Sequence, residues 1–289
     1  MKIKICIPHY FSSSFDEKFY QSKSWTHGSL EGKTEKRTQA FDKCLWSLFH
    51  IGTENNDGLL NISKRTVDKL LSVRTKDDIS ITVVTDGKNV CNKILNKYSD
   101  YIQVKKVKLK NSTDLVFEAR DELLYDVGDE YDLYFYCEDD LGISNKNFFD
   151  RIFWFAEQTN HRGVLMPHRF ENLYSLEIEK IYIDGPIDQR MLKNFMTPKN
   201  NSLNLSYKNN TLTFDNPINP HSGTFCLTKK QRDYVTDKGI QRKSDFVSSL
   251  ESVATLTVME FFDIYKTSFT HRDFLEIEHL CTRYNIVDE

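Results

Sequence analysis

The stretch Tyr131-Asp132-Leu133-Tyr134-Phe135-Tyr136-Cys137-Glu138-Asp139-Asp140 decides the fold of this chain. Its first seven residues are mostly apolar or aromatic and have the length of one β-strand. A strand that is apolar on both faces belongs in the middle of a covered, largely parallel sheet. Three acidic residues follow at once, and carboxylates stay out of a core unless they are paired or hold a metal. We therefore expect Glu138-Asp139-Asp140 at the carboxyl end of a central strand, where such sheets bind ligands.

On both sides of this stretch, strand patterns alternate with helix patterns. The predicted strands are 2–8, 79–84, 101–109, 131–137, 163–167, 223–228 and 274–280. The predicted helices are 35–50, 63–73, a short helix around Cys91 to Leu95, 114–125, 229–237 and 249–262. This alternation predicts an α/β fold, a single Rossmann-like domain over 1–289 with a mostly parallel central sheet flanked by helices.

Residues 186–220 break the alternation, because they hold four of the chain's six prolines and few apolar anchors. We expect an insertion here, either a hairpin over or beside the ligand site or a plain surface excursion.

The composition excludes several classes of protein. The net charge of −3 and the pI of about 6.3 argue against a nucleic-acid partner. No apolar run is long enough for a transmembrane segment or a signal peptide, and the six cysteines show no zinc or C-x-x-C spacing. We expect a cytoplasmic protein with reduced, mostly buried cysteines, and peripheral contact with a membrane stays open.

The acidic triplet has a chemical use. Adjacent carboxylates repel one another, and a hard divalent cation removes that repulsion. Mn²⁺ or Mg²⁺ is held by one or two carboxylates together with phosphate oxygens, which a nucleotide diphosphate supplies. Without other features, an exposed acidic turn would be the favoured interpretation of Glu138-Asp139-Asp140.

Other segments support a ligand site, because from residue 1 to 289 the chain resembles GT-A-fold, nucleotide-sugar-dependent glycosyltransferases. In that family a strand ends in a D-x-D-type motif, and Glu138-Asp139-Asp140 is a variant of it. The preceding helix in similar proteins carries an acidic residue and an arginine, as in Phe117-Glu118-Ala119-Arg120-Asp121. Three further segments match, at Asn219-Pro220-His221-Ser222-Gly223-Thr224-Phe225, Leu250-Glu251-Ser252-Val253-Ala254 and Glu278-His279-Leu280-Cys281-Thr282-Arg283-Tyr284.

The resemblance implies a metal-dependent hexosyltransferase or related enzyme with a UDP- or GDP-sugar donor and a glycan or lipid-linked acceptor. Asp140 and His279 would ligate Mn²⁺ or Mg²⁺. The donor would contact Pro8, His9, Tyr10, Asp86, Arg120, Glu138 and Asp139. Glu251 would be the general base of an inverting transfer. The acceptor side would be shaped by His221, Ser222 and Gly223, since glycine lets a backbone approach the sugars closely.

Structural roles stay open for several of these residues. His279 also fits a half-buried histidine at a strand end, and Arg120 a charge partner on an amphipathic helix. Asp86-Gly87 is a common turn pair, and Glu251 fits the first turn of a helix. Two other functions also stay open, a metal-dependent phosphohydrolase and a non-catalytic nucleotide-sugar binding module. No P-loop or dinucleotide-binding glycine motif occurs in the chain.

Overall fold

A five-stranded sheet forms the centre of the computed structural model, which describes residues 1–11, 34–51, 58–70, 78–125, 128, 130–173, 177–188 and 201–281. Its strands are β1 (Lys2–Pro8), β4 (Asp78–Thr85), β5 (Ile102–Lys106), β6 (Leu133–Cys137) and β13 (Thr224–Thr228). Their order is β13-β6-β1-β4-β5, and all neighbours are parallel except β13, which runs antiparallel to β6. The predicted α/β class with a mostly parallel central sheet is confirmed.

Helices cover both faces of this sheet. They are α1 (Thr34–Ile51), α2 (Asn92–Lys97), α3 (Leu115–Tyr125), α4 (Phe148–Gln158), α5 (Lys229–Lys238) and α6 (Ser249–Met259), with 3₁₀ turns at Ser112–Asp114 and Phe269–Phe274. Successive side chains of a strand point to opposite faces. Ile5 and Phe135 accordingly pack with α1, α2 and α4, whereas Cys6 and Tyr136 pack with α3, α5 and α6. In the described part of the chain, no helix has the length and apolar character needed to cross a membrane.

Two four-stranded sheets extend the fold beside the central one. The first has the order β10-β9-β15-β7, from β10 (Lys180–Tyr182), β9 (His168–Asn172), β15 (Glu276–His279) and β7 (Leu141–Gly142). The second has the order β11-β12-β14-β8, from β11 (Ser202–Tyr207), β12 (Asn210–Asp215), β14 (Asp263–Thr267) and β8 (Gly163–Leu165). Because β7 follows the acidic triplet directly and His279 of β15 pairs with Leu141 of β7, the first sheet brings β15 to the triplet.

The insertion at 186–220 contains a β-hairpin that is built into the core. Strands β11 and β12 are joined at Lys208 and Asn209, which both have a φ of 49°, as the tight turns of hairpins require. Phe214 of β12 pairs with Thr267 of β14, and its ring packs 4.9 Å from that of Phe155. The hairpin therefore belongs to the second side sheet, while residues 189–200 lie outside the described residues.

The helix predicted at 63–73 is wrong over the residues that the structure describes. Residues 58–70 form a hairpin of β2 (Gly58–Asn61) and β3 (Thr66–Lys69) instead. The Asn61 side chain accepts a hydrogen bond from the Lys64 amide at 3.0 Å, and Arg65 adopts a φ of 54°, so a turn interrupts the chain. The helical spacing of Val67 and Leu70 was misleading because a turn and a β-branched pair override it. Residues 71–73 lie outside the described residues.

Candidate functional site

The site lies where three adjacent parallel strands end. Strands β6, β1 and β4 terminate at Cys137, Pro8 and Thr85, on the same edge of the central sheet. The loop after β1 is tied to its neighbour, because Phe11 donates its amide hydrogen to the Asn89 carbonyl at 2.8 Å. The predicted nucleoside-binding loops and the acidic triplet therefore share one edge.

His9, at the end of β1, contacts the acidic triplet through Asp139. Its Nδ1 lies 2.7 Å from Oδ2 of Asp139, and its Nε2 accepts the Cys91 amide hydrogen at 3.1 Å. Since Nε2 accepts, Nδ1 carries the ring hydrogen and donates a hydrogen bond to Asp139. The ring is fully buried and stacks on Phe41 with 4.0 Å between ring centroids. Protein groups thus occupy both ring nitrogens, and His9 can serve a donor only through Asp139.

Arg37, which the sequence analysis missed, reaches the triplet from α1. One guanidinium nitrogen donates to both oxygens of Asp139, at 2.8 and 3.0 Å, and the other donates to Oδ2 of Asp140 at 3.1 Å. Burial alone would raise the pKa of Asp139, but the Arg37 charge and the His9 hydrogen bond outweigh it and lower that pKa to about 2. A fixed positive charge therefore sits against both aspartates. No local signal marks Arg37, since it reads as an ordinary cation in the first turns of an amphipathic helix.

His279 lies beside Asp140, as the resemblance implied. Its Nε2 is 3.6 Å from Oδ2 of Asp140, and its Nδ1 is 2.7 Å from Oε1 of Glu171. Glu171 therefore engages Nδ1, and Nε2 is the ring nitrogen that faces Asp140. Metal-ligating histidines commonly carry such a carboxylate partner on the other nitrogen. Glu171 was not predicted.

Asp140 keeps one oxygen open. Oδ1 is buried and has no hydrogen-bond partner among the residues that the structure describes. A buried, unsatisfied carboxylate oxygen is costly unless a cation or another ligand completes it. The chemistry of Asp140 and His279 thus fits Mn²⁺ or Mg²⁺, which accept one or two protein ligands and fill the other positions with water and phosphate oxygens. A closed site is not present, since the described residues contain no group of three or more His, Cys, Asp or Glu side chains able to hold a metal.

The segment His221-Ser222-Gly223 adjoins the triplet on the other side. Gly223 has a φ of +63°, and a Cβ there would lie 2.9 Å from Oε2 of Glu138. The Glu138 amide donates to the Gly223 carbonyl at 3.1 Å, and the Ser222 hydroxyl donates to the Pro167 carbonyl at 2.7 Å. Only glycine permits this backbone path so close to the carboxylate. The predicted acceptor-side residues and Glu138 are therefore neighbours.

Glu251 lies near His221 at the start of α6. Burial and the Arg169 charge lower the pKa of His221 to about 3, and the negative charge of Glu251 acts in the opposite direction. Glu251 is also the partner of the Ser248 hydroxyl, which caps α6 by accepting the Leu250 amide hydrogen. Glu251 thus has the local capping position that the sequence left open, and its carboxylate is half-buried beside the predicted acceptor segment.

A second cluster of buried charges anchors this region. Arg169 donates through Nε and one terminal nitrogen to Oδ1 of Asp184, at 2.9 and 2.8 Å, and through its amide to Oδ2 at 3.1 Å. Lys266 donates to the same Oδ2 at 2.9 Å and to the His221 carbonyl at 2.7 Å. This network ties the acceptor segment to β9 and β14. It was not predicted, because Arg169 and Asp184 are 15 residues apart in sequence and neither carries a local sign of its partner.

Two predicted donor residues have structural partners. Arg120 is 2% exposed and donates to the Asp121 carboxylate at 2.7 and 2.9 Å and to the Gln241 carbonyl at 3.0 Å. Asp86 accepts the amides of Lys88 and Asn89, both at 2.8 Å, which closes the turn after β4. Within the described residues, neither has a hydrogen bond to the acidic triplet. Pro8 is buried at the end of β1, and Tyr10 is partly exposed beyond it.

Comparison with known proteins gives distant structural likenesses. No protein-family profile matches the chain, and neither does any curated protein. Among solved structures, the chain is similar to residues 1–349 of S. aureus TarS, with 13% identity and a TM-score of 0.44 over 92% of this chain and 58% of that chain. It is also similar to the same TarS segment in complex with UDP-GlcNAc, with 11% identity and a TM-score of 0.42 over 98% of this chain and 62% of that chain. The chain thus spans less than two thirds of the TarS chains that it matches.

Proposed function

We propose that this chain is a metal-dependent glycosyltransferase that moves a sugar from a UDP- or GDP-sugar to a hydroxyl group of a glycan or a lipid-linked acceptor. The observation that carries the proposal is the pair formed by Asp140 and His279 at the carboxyl edge of the sheet. Oδ1 of Asp140 is buried without a hydrogen-bond partner among the described residues, and Nε2 of His279 lies 3.6 Å from Oδ2 of the same carboxylate. This pair resembles a donor site that a divalent cation and a diphosphate would complete together.

Each residue of the donor side has a distinct role in this proposal. Asp140 and His279 would hold Mn²⁺ or Mg²⁺, which when bound would stabilise the charge of a departing nucleoside diphosphate. Asp139, held by His9, keeps its negative charge at any working pH because its pKa is about 2. Arg37 stands next to both aspartates, and a guanidinium pairs well with phosphate oxygens through two parallel hydrogen bonds.

The acceptor side is assigned to Glu251 and its surroundings. An inverting transfer needs a carboxylate to remove the proton from the attacking hydroxyl. Glu251 is the proposed base, and its position beside the buried, uncharged His221 supports this choice. Gly223 lets the backbone of the proposed acceptor segment pass close to Glu138, where a Cβ would lie 2.9 Å from Oε2.

The rival phosphohydrolase function is less well supported. Two-metal hydrolysis needs carboxylate or imidazole ligands for a second ion a few ångströms from the first. Here Asp139 is taken by His9 and Arg37, and Asp184 is paired with Arg169 and Lys266. A binding module without catalysis is distinguished by experiment.

A thermal-shift titration tests the donor site. Wild type and Asp140→Asn are heated with UDP, GDP and their sugar conjugates, in Mn²⁺, Mg²⁺ or EDTA. A ligand at a hundred times its Kd should stabilise the wild type by about 2.7 kcal/mol, and only with metal present. The shift should vanish in Asp140→Asn. If no nucleotide stabilises the wild type in any metal, the glycosyltransferase proposal fails.

Turnover tests the proposed base. Glu251→Gln keeps an acceptor for the Ser248 hydroxyl, because the glutamine side-chain carbonyl can accept the same hydrogen bond. It should keep donor binding and lower turnover by about 10²- to 10⁴-fold. Glu260→Gln, at the other end of the same helix, is the matched control and should have little effect, since Glu260 pairs with Lys243 on the surface. Near-normal turnover by Glu251→Gln would remove the base assignment, and normal donor binding with no turnover in the wild type would favour the binding module.

A further inference from the structure

The hairpin of residues 58–70 is unusual for its exposure. Every residue in it is exposed except Asn61, which is partly buried. Its five large apolar side chains are 44 to 82% exposed, namely Leu59 (59%), Leu60 (61%), Ile62 (82%), Val67 (68%) and Leu70 (44%). Among the residues that the structure describes, the hairpin is a separate two-stranded sheet, and such a hairpin alone is marginally stable in water. We therefore expect another surface to cover this one.

The apolar side chains of the hairpin point in more than one direction. Leu60 is paired with Val67, and Leu59 with Asp68. Neighbouring residues of a strand lie on opposite faces, so Leu60 and Val67 share one face while Leu59 lies on the other. Ile62, the most exposed of them, is in the turn at the tip. A folded partner covers one face of a hairpin, whereas the interfacial layer of a membrane surrounds an inserted tip on all sides.

The charge of the hairpin selects the kind of surface. It carries three basic side chains, Lys64, Arg65 and Lys69, against one acidic side chain, Asp68, within a chain whose net charge is −3. Lys64 and Arg65 are in the turn beside Ile62. Basic residues next to exposed apolar ones favour anionic lipid headgroups. Two copies of the hairpin packed together would instead bring three basic side chains from each copy into proximity, with only Asp68 of each copy as a countercharge.

We propose that the 58–70 hairpin docks this protein on an anionic membrane surface. Ile62 and the adjacent leucines enter the boundary between headgroups and acyl chains, and Lys64 and Arg65 contact lipid phosphates. Insertion stops in the interfacial layer, because the outer edges of a two-stranded hairpin carry backbone groups that hydrocarbon cannot satisfy. The proposal is independent of the enzymatic one, since it concerns binding alone.

Co-sedimentation with lipid vesicles tests the apolar part of the surface. The full chain should bind vesicles of phosphatidylcholine mixed with phosphatidylglycerol and stay in solution with phosphatidylcholine alone. Ile62→Asp should weaken binding by more than about tenfold, because it removes an apolar anchor and adds a repelled charge. Ile178→Asp is the matched control, since Ile178 is 51% exposed outside the hairpin, and it should bind like the wild type. Wild-type protein that binds neither vesicle, or Ile62→Asp protein that binds normally, would overturn the proposal.

A second pair of variants tests the charge. Lys64→Glu with Arg65→Glu should weaken binding by about tenfold or more, while Lys106→Glu with Lys108→Glu, at the exposed edge of the central sheet, should leave it unchanged. Equal losses in both pairs would mean that overall charge acts rather than the hairpin, which would contradict the proposal. Circular dichroism establishes that each variant is folded. Analytical ultracentrifugation without lipid should show that Ile62→Asp does not change the oligomeric state, because a dimer that this variant dissociates would assign the hairpin to a second copy instead.

Discussion

Asp184 and Asp140 are both buried carboxylates, 7% and 4% exposed, but the protein satisfies them very differently. Asp184 accepts three hydrogen bonds from Arg169 and one from Lys266, so both of its oxygens are occupied. Asp140 accepts one from Arg37 on Oδ2, and its Oδ1 has no hydrogen-bond partner in the described part of the chain. Burial alone therefore does not separate a structural carboxylate from one that is available to a ligand.

Asp184 and Asp140 differ in the number of cations and hydrogen-bond donors that contact each carboxylate. A buried charge is tolerated when cations and donors replace the water that it loses. Asp184 has that replacement within the protein, and its pKa is held well below the ordinary range by Arg169 and Lys266 even though burial would raise it. Asp140 lacks part of it, so an external cation can still contribute.

The largest expected effect is on folding stability. Asp184→Asn should lower the free energy of unfolding by about 3 to 5 kcal/mol, because it leaves Arg169 and Lys266 buried beside a neutral amide. Asp140→Asn should change it by less than about 1 kcal/mol in EDTA, since it removes one charge from a pair of neighbouring aspartates. Urea denaturation of both variants measures the two values. Equal losses would show that both carboxylates are structural.

The next effect is on metal affinity. Glu171→Gln should weaken Mn²⁺ binding by about 10- to 100-fold, because the carboxylate no longer fixes the tautomer and orientation of His279. Glu278→Gln is the matched control, since Glu278 precedes His279 in the same strand but accepts its hydrogen bond from Asn172. Electron paramagnetic resonance of free Mn²⁺ gives both affinities. Equal affinities in the two variants would exclude a role of Glu171 in the metal site.

The half of the site that could be predicted is the half that is local in sequence. An apolar run that ends in three carboxylates places Asp139 and Asp140 at a strand end without any knowledge of the rest of the fold. The turn after β4 was readable for the same reason. His279 was named only through the resemblance, because nothing in a short alternating segment separates a ligand from an ordinary buried histidine.

The half that could not be predicted depends on contacts between distant residues. Arg37 is 103 residues from Asp140 in sequence, and an arginine on an amphipathic helix carries no sign of its partner. Arg169 and Asp184 likewise look like ordinary surface charges until the side sheet places them together. The prediction for residues 58–70 failed for another reason. Three apolar residues have helical spacing there and suggested a helix, but the Asn61 side chain accepts a hydrogen bond from the Lys64 amide and forms a turn.

A pH titration tests the buried charge cluster of Asp184 and Lys266 separately from the acidic triplet. Burial and the Lys266 charge lower the pKa of His168 from 6.5 to about 4. Between these two pH values, His168 is protonated in the unfolded chain and neutral in the folded protein. Stability is complete above pH 6.5 and falls as the pH approaches 4, by about 2 kcal/mol between pH 7 and pH 5. His168→Gln should remove that part of the slope in urea denaturation. Asp139, with a pKa of about 2, stays charged throughout. If the free energy of unfolding of His168→Gln depends on pH as steeply as that of the wild type, groups other than His168 cause the loss of stability in acid.

The smallest expected effect is on ligand affinity at Arg37, and it should have opposite signs for Mn²⁺ alone and for the nucleotide. Arg37 occupies the two aspartates with a permanent charge, so it competes with a metal that arrives alone but should assist one that arrives with a diphosphate. Arg37→Gln should tighten nucleotide-free Mn²⁺ binding by about tenfold and weaken nucleotide binding in the presence of Mn²⁺ by a similar factor. Arg242→Gln, which loses only exposed pairs with Glu118 and Asp121, should change neither. Calorimetry of both steps decides the matter, because a merely structural arginine would weaken the two together, and opposite signs require that the guanidinium lies where the metal and the phosphates meet.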